Sequence, residues 1–344
     1  EFRRVLFRSI IGIDLAKNNF QLCAVDGKGC LVWKKTLTRT TLKRFLEVQP
    51  RIIIAMEACG GAHYWGRELI AMGFEVRLIA PQFVKPFVKS QKNDYHDALA
   101  ICEAACRGQM RFSVVKSLRE QEIQSLHRYR ELLVSQRTMV INHSRGLLLE
   151  YGFVFPKGAK SFTSRISLLL DKELPSAVRT SLNLLKEQLK EFESKIKECE
   201  SLLRIISEQD PIVKALEKIS GVGLITATAL LTMNSQAQGL KNGRQFAACL
   251  GLVPRQNSSG GRVQLLGITK RGDGYIRKLL VHGARASLRW VDKKTDKTSQ
   301  WAKELKERRG YNVAAVALAN KNARIIWAIM TKKENFVWEV KQAA

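Results

Sequence analysis

The fold of the N-terminal third is decided by residues 10–37, which read IIGIDLAKNNFQLCAVDGKGCLVWKKTL. Three apolar runs rich in β-branched and aromatic residues stand out, at 10–13, 20–25 and 30–37. The sequence Asp-Gly-Lys-Gly at 26–29 separates the last two and is a turn signal. We therefore predict three consecutive strands.

The chain then changes to alternating helical and strand patterns. Helices are predicted over 41–48, 64–72 and 94–107, and buried strands over 52–56 and 75–79. Three strands followed by alternating helices and strands are typical of an α/β layer with a mixed sheet.

Four acidic residues of this region lie at strand ends or on one face of a predicted helix. Asp14 closes the first strand, Glu57 closes the fourth, and Asp94 and Asp97 lie three residues apart on one helical face. Taken singly, each is readily explained as a solvated strand end or a helix N-cap. Together they would repel one another strongly unless divalent cations lay between them, and Mg²⁺ prefers oxygen ligands and can clamp a phosphoryl transfer. The ordered set therefore favours a metal site.

The charge of the whole chain indicates its partner. The 344 residues, enough for about two domains, include 58 Lys and Arg against 31 Asp and Glu, a net charge of +27. Such an excess favours a polyanion, nucleic acid first and an acidic membrane surface less often. The longest uncharged stretch, 219–240, is too polar to span a membrane, and no signal peptide is recognisable. Seven cysteines without a Cys-x-x-Cys pair predict reduced thiols in a cytoplasmic protein.

Two long helices are predicted in the middle of the chain, over 117–150 and about 182–206. The second carries a heptad seam with spacing 3,4,3,4,3,4,3, formed by Leu182, Leu185, Leu189, Phe192, Ile196, Cys199, Leu203 and Ile206. We expect a coiled coil, with the seam packed within the chain or, as the favoured alternative, across a dimer. Residues 151–175 are expected to be a hinge.

Two glycines mark a turn between helices in the C-terminal third. Gly221 and Gly223 lie in Ser-Gly-Val-Gly at 220–223, a pattern similar to a helix-hairpin-helix. Backbone N–H groups at such a turn suit a phosphate, although glycines also simply permit a tight corner. In so basic a chain we favour nonspecific contact with duplex DNA.

The most basic region, 234–290, contains ten Lys and Arg and a single acid. At its centre Ser258 and Ser259 precede two glycines. A serine in an exposed loop beside guanidinium groups could attack a phosphodiester, yet Ser-Ser-Gly-Gly alone is usually only a loop. The basic residues expected to bind nucleic acid are Arg255, Arg262, Lys270, Arg271 and Arg277. An apolar helix at 314–330 is predicted to be core.

These motifs together resemble the insertion-sequence-110 family of transposases, which is similar to the Piv-type invertases. The matching segments span most of the chain in the family's order: GIDLAK at 12–17, MEA at 56–58, KNDYHDA at 92–98, SGVG at 220–223, GLVPR at 251–255, SSGG at 258–261 and KRGD at 270–273. Asn93 stands where the family commonly has Thr. Residues 1–9 match nothing, and we treat them as a candidate non-native leader.

The resemblance to this family implies a fold, catalytic residues and partners that the residues alone do not establish. It implies a RuvC-like domain of RNase H fold whose DEDD tetrad is Asp14, Glu57, Asp94 and Asp97, binding Mg²⁺ or Mn²⁺. It implies a nucleophilic serine that maps to Ser259, with Ser258 as the alternative. Its implied partners are double-stranded DNA, both at the element ends and at the target, and a structured guide RNA. The resemblance also implies a dimer or tetramer of the chain and association with the nucleoid when the protein is active.

We therefore expect a RuvC-like domain over 10–112, a coiled-coil region over 113–209, a mainly α-helical transposase domain over 210–335 and a tail over 336–344. The expected activity is RNA-guided DNA recombination through a phosphoserine link. A metal-only junction nuclease is the first alternative, and a noncatalytic nucleic-acid-binding protein is the second. The sequence lacks the Gly-x-x-x-x-Gly-Lys-Ser/Thr loop of ATP-driven enzymes, which agrees with chemistry that conserves bond energy.

Overall fold

The structure, a computed structural model, describes residues 9–88, 94–169 and 174–332, apart from the side chains of 94, 167–169 and 332. The expected leader, except Ser9, and the expected tail lie outside the described residues. The chain divides into two compact units after Arg119. The second unit contains the C-terminal helices and both long middle helices, apart from the first two residues of the earlier one.

The first unit is built on a six-stranded mixed sheet. Its strands are β1 Ile10–Asp14, β2 Asn19–Val25, β3 Leu31–Thr38, β4 Ile53–Glu57, β5 Glu75–Ile79 and β6 Phe112–Ser113. The order is β3-β2-β1-β4-β5-β6; β1, β2 and β3 pair antiparallel, β1, β4 and β5 pair parallel, and β6 returns antiparallel to β5. The predicted strands and the mixed sheet are confirmed, whereas the short β6 carried too little pattern to be predicted.

Helices cover both faces of this sheet. They are α1 Arg39–Glu47, α2 Ala62–Ala71, α3 Pro81–Val84 and α4 Asp94–Ala105. One face packs on α1 and α2 through Leu42, Leu46, Trp65 and Leu69, and the other packs on α4. This mixed α/β arrangement is consistent with a DEDD nuclease-like domain.

The second unit begins with two long helices that pack against each other. They are α5 Leu118–Leu149 and α7 Ser176–Gln209. Late residues of α5, such as Leu148, share a buried cluster with Leu182 of α7, whereas the earlier Leu133 packs with Ile196. The two helices therefore run antiparallel.

This packing corrects the expected partner of the heptad seam. Leu182, Leu189, Ile196, Cys199 and Leu203 are buried, as predicted, but their cover includes α5 of the same chain. The interpretation that the seam is buried across a dimer is therefore wrong, since the apolar face of α5 satisfies it within the chain. The expected hinge also needs correction, because it contains α6 Ala159–Leu169, whose Phe162 and Ile166 join the buried cluster.

The remaining elements form a compact helical core with one β-hairpin. They are α8 Pro211–Glu217, α9 Leu224–Leu231, α10 Asn234–Gln238, α11 Gly243–Cys249, β7 Pro254–Gln256, β8 Leu265–Ile268, α12 Gly274–Leu288, α13 Lys297–Arg309 and α14 Tyr311–Lys332. The predicted core helix is α14, which buries residues along its length from Ala314 to Met330. Among the described residues, its segment Tyr311–Thr331 alone is long and apolar enough to cross a membrane, and half of it is buried. Its role as a core helix accounts for that composition.

A buried histidine joins α5 to this core. His127 Nε2 lies 3.1 Å from Thr228 Oγ1 and His127 Nδ1 lies 3.0 Å from the Tyr275 hydroxyl. The Thr228 hydroxyl donates to the Leu224 carbonyl, so it accepts from His127 Nε2–H, and Nδ1 must accept from Tyr275. Burial, and secondarily the charge of Arg130, lowers the pKa of His127 to about 4.

We expect His127 to make stability depend on pH. Its folded-state pKa of about 4 lies below the ordinary 6.5, so the unfolded chain binds the proton first. The stabilisation is complete above pH 6.5 and is lost as the pH falls towards 4, by up to about 3 kcal/mol. The unfolding temperature, measured between pH 4 and pH 6.5, should change less with pH for His127→Gln than for the wild type.

The matched control is His282→Gln, because His282 is exposed on α12. It should retain the wild-type profile. A His127→Gln profile as steep as that of the wild type would contradict the assignment.

Candidate active site

Two of the predicted carboxylates lie at the same edge of the sheet. Asp14 is the last residue of β1 and Glu57 the last residue of β4. These strands are parallel neighbours in which Ile13 is level with Met56. The register therefore brings Asp14 and Glu57 side by side at the carboxyl ends of their strands.

A glycine allows α4 to bring the third carboxylate to this edge. A Cβ on Gly12 would lie 2.4 Å from the Ala98 carbonyl oxygen and 2.6 Å from Cys102 Sγ, far inside contact distance. Only glycine lets α4 lie this close to β1. The first turns of α4 carry Asp97, and also Asp94, whose side chain lies outside the described residues.

The electrostatics indicate that three carboxylates interact. Burial, followed by the charges of Asp14 and Asp97, raises the pKa of Glu57. Burial, with the charges of Glu57 and Asp14, likewise raises the pKa of the neighbouring Cys59 thiol. Negative charge is therefore concentrated where β1, β4 and α4 meet.

The donor chemistry at this edge suits a hard divalent cation. Carboxylate oxygens are the preferred ligands of Mg²⁺, and a cation would relieve the repulsion that raises the Glu57 pKa. No group of three acidic, His or Cys side chains at metal-holding spacing occurs among the described residues. Asp14, Glu57 and Asp97 are therefore not at metal-holding spacing here, although they interact electrostatically. The four-residue metal site, which also includes Asp94, stays a prediction. An open cleft of about 500 Å³ beside Glu57, lined also by Gln82 and Lys85, gives access.

The predicted serines lie on a hairpin rather than in an irregular loop. Ser259 and Arg262 form an isolated antiparallel bridge, and Arg262 N–H donates to the Ser259 carbonyl over 3.0 Å. Between them Gly260 and Gly261 have φ of 55° and 74°. Positive φ at both central residues, closed by this hydrogen bond, marks a type I′ turn, the two-residue turn that suits a twisted hairpin. Ser259 is thus held at the tip of the β7–β8 hairpin.

The two serines have different surroundings. The Ser258 hydroxyl accepts from Gln256 Nε2 over 2.9 Å and from Gln264 N–H over 3.2 Å, so it stabilises the hairpin. Ser259 is exposed, and no described residue hydrogen-bonds to its hydroxyl. The Ser259 hydroxyl is therefore the more available of the two.

The base of the hairpin is fixed by close backbone contacts. A Cβ on Gly251 would lie 2.2 Å from the Arg271 carbonyl oxygen. Arg277 Nη1 donates to the carbonyls of Arg271 and Leu250 over 2.8 and 3.0 Å. Arg277, predicted to contact nucleic acid, thus clamps the chain where it enters and leaves the hairpin.

The remaining predicted nucleic-acid residues divide between surface and packing positions. Arg255, Arg262, Lys270 and Arg271 are exposed. Gly221 packs instead against α12: a Cβ there would lie 2.6 Å from the Gly283 carbonyl oxygen. Gly223 precedes α9, with open space beside it. Contact of the Gly221–Gly223 turn with duplex DNA stays a prediction, and the structure gives Gly221 a packing role.

Sequence reasoning missed the type I′ hairpin and the clamp made by Arg277. A two-glycine turn flanked by short alternating segments was a usable signal for the hairpin. The clamp had no comparable signal, because it joins side chain and backbone groups from three separate segments.

Comparison with known proteins identifies the family of the chain. Residues 11–153 match a family model described as a transposase of the IS110 DEDD type, and residues 213–300 match the transposase IS116/IS110/IS902 family. The chain is 46% identical to a probable family 20 transposase of Pseudomonas aeruginosa, over 94% of this chain and 97% of that protein. It is 44% identical to the transposase for insertion sequence element IS1111A of Coxiella burnetii, over 95% and 91% of the two chains.

A third relative, the transposase for insertion sequence element IS1328 of Yersinia enterocolitica, is 38% identical over 94% of this chain and 97% of that protein. A DEDD-type nuclease-like sheet and a full-length match to transposases define a DNA transposase, an enzyme class that acts on DNA and depends in general on a divalent metal. The chain belongs to the IS110 family of transposases.

The hairpin base yields a direct test of backbone packing. Gly251→Ala should lower the unfolding temperature and abolish strand transfer, because the new methyl group would overlap the Arg271 carbonyl and Gly251 has φ of 68°. Gly267→Ala is the matched control within β8, since nothing lies within 4 Å of its Cβ position. Thermal unfolding and strand-transfer assays should separate the two, and equal behaviour would refute the close contact.

Proposed function

We propose that this IS110-family transposase is RNA-guided and joins DNA through a phosphoserine intermediate, with a DEDD site that binds Mg²⁺ or Mn²⁺. The observation that carries the proposal is the exposed Ser259 hydroxyl, held at the tip of a hairpin among exposed arginines. The interacting carboxylates of the first unit supply the second half of the chemistry.

The carboxylates support a metal-dependent step. Asp14, Glu57 and Asp97 interact electrostatically, and Asp94 lies on the same helix as Asp97. A bound divalent ion would stabilise negative charge developing on a phosphodiester. The four carboxylates would hold it, with Asp14 and Glu57 fixed by strand register.

The serine would act by substitution at phosphorus. Ser259 Oγ forms a bond to phosphorus as the bond from phosphorus to the leaving sugar oxygen breaks. The hydroxyl proton passes to a base, and the departing oxygen takes up a proton. Arg255 and Arg262 are suited to stabilising the extra charge on the phosphoryl oxygens. The reverse attack by a sugar hydroxyl releases the serine and rejoins DNA, so the bond energy is conserved.

The partners follow from charge and from family resemblance. A net charge of +27 suits both duplex DNA and a structured RNA. The resemblance implies that the RNA, by base pairing, reads donor and target sequence, and that copies of the chain assemble as a dimer or tetramer at the DNA. Because α5 packs on the heptad seam within the chain, we place the interface between copies on another surface.

Two other functions make different predictions. A metal-only nuclease would leave hydrolysed ends and would not need Ser259. A noncatalytic nucleic-acid-binding protein would bind without cleaving. The exposure of Ser259 favours the serine mechanism over the metal-only nuclease.

Ser259→Ala should eliminate both the covalent protein–DNA adduct and strand exchange while leaving nucleic-acid binding intact. Ser258→Ala is the control: it should reduce activity only modestly, since it removes hairpin hydrogen bonds worth about 1 kcal/mol each. The assay mixes protein, element-end RNA, Mg²⁺ and element DNA and resolves adducts on a denaturing gel. Normal cleavage by both variants would leave the metal-only nuclease as the better account.

The metal site can be tested without activity. Millimolar Mg²⁺ or Mn²⁺ should raise the unfolding temperature of the wild type, because a ligand that binds the folded state stabilises it. Asp14→Asn should lose that response and strand transfer together. Glu75→Gln, a change at an exposed carboxylate that pairs with Arg77, should keep both. An unchanged thermal response in Asp14→Asn would argue against Asp14 as a ligand.

A further inference from the structure

A row of polar side chains leads from Asp14 to the open edge of the sheet. Asp14 is the direct cross-strand partner of Gln21, and Gln21 is the partner of Thr36 on the edge strand β3. Side chains of direct partners point to the same face. The row therefore crosses three strands, over about 10 Å between the outer strands.

This face is the one on which α4 lies. Gly12, two residues before Asp14, contacts α4, and Cys23, two residues after Gln21, donates through Sγ to the Tyr95 carbonyl. Residues two apart on a strand share a face. Tyr95 of α4 thus stands beside the row, two residues before Asp97.

Hydrogen bonds order the outer part of the row. Thr36 Oγ1 donates to Gln21 Oε1 over 2.8 Å and lies 2.9 Å from the Tyr95 hydroxyl. A threonine hydroxyl has one proton, so Tyr95 must donate to Thr36. These bonds use the Oε1 atom of Gln21, and its NH₂ group makes no hydrogen bond to any described residue.

One lysine adds positive charge to this face. Lys34, the cross-strand partner of Cys23, places its Nζ 4.9 Å from the centre of the Tyr95 ring. Its neighbour Lys35 points to the opposite face, where its Nζ lies 4.6 Å from the centre of the Phe45 ring. Both lysines are exposed. Lys34 and Lys35 therefore lie on the same strand, carry the same charge and are both exposed, but their side chains lie on opposite faces of the sheet.

We propose that Gln21, Lys34, Thr36 and Tyr95 form a ledge that binds the backbone of a DNA strand next to the Asp14 carboxylate. The Lys34 ammonium and the Gln21 NH₂ group are the donors that would contact phosphate oxygens, and the Thr36 and Tyr95 hydroxyls hold the Gln21 amide in place. Such contacts position a phosphate–sugar backbone without reading its bases. The ledge begins at a carboxylate of the site and ends at an open edge, so a strand can enter from solvent. The proposal rests on the proposed function, since it names the substrate strand of that site.

The first experiment measures lysine protection. The full-length protein, wild type and Asp14→Asn, is acetylated with an amine-reactive reagent with and without a 30-nucleotide single-stranded DNA, and each lysine is quantified by mass spectrometry. We expect Lys34 to be protected several-fold more than Lys35 in both proteins. Equal protection of the two lysines, or protection of neither, would overturn the ledge.

The second experiment compares Lys34→Ala with Lys35→Ala, which remove the same charge from opposite faces. Binding of the same DNA is measured over a range of salt concentrations. Lys34→Ala should reduce the slope of log affinity against log salt by about 0.7, the value for one single-strand phosphate contact, and Lys35→Ala should leave it unchanged. Thr36→Val and Tyr95→Phe should weaken binding without changing this slope. Equal slopes for the two lysine variants would refute the proposal.

These readouts do not depend on cleavage. Protection of Lys34 in a protein that forms no adduct with Mg²⁺ and element-end RNA would reject the proposed function and keep the ledge as a DNA-binding surface. Adduct formation with equal reactivity of Lys34 and Lys35 would reject the ledge and keep the function.

Discussion

The carboxylate-bearing edge of the first unit depends on the contact between Gly12 and α4. A side chain at this position would collide with the Ala98 carbonyl and the Cys102 thiol, and α4 would have to move outward. The register of β1 with β4 already aligns Asp14 with Glu57. The close packing of α4 on Gly12 brings Asp97 close enough for its charge to act on Glu57. The absence of a side chain at Gly12 thus lets α4 pack close to the strand end that carries Asp14.

In the second unit, backbone contacts rather than a packed core determine where Ser259 lies. Its hairpin is solvent-exposed, so a packed core does not position Ser259. Two glycines with positive φ determine the tip, while Gly251 and the two hydrogen bonds from Arg277 determine the base. Such a hairpin would be marginal in isolation. Anchoring at both ends allows it to present a hydroxyl to a ligand without being buried.

Local patterns predicted much of this architecture, and contacts between distant residues escaped them. Strand periodicity located β1 to β5, and their order predicted the strand ends at Asp14 and Glu57. The heptad seam on α7 was recognisable, but its partner depended on the buried face of α5, where Glu120, His127 and Ser144 interrupt the apolar pattern. The packing of Gly221 against Gly283 and the row from Asp14 to Thr36 require knowledge of which segments are neighbours. Single-sequence patterns do not contain that information.

The β7–β8 hairpin also constrains how the protein can change over evolutionary time. Successive residues of a strand point to opposite faces, so one inserted residue in either arm would turn Ser259 away from the side it now faces. Paired insertions in both arms would restore the facing but lengthen the reach. Substitutions on the exposed arms are tolerable, whereas changes in their length are not. Divergence at this hairpin should therefore proceed by replacement of side chains, with insertions and deletions confined to loops elsewhere.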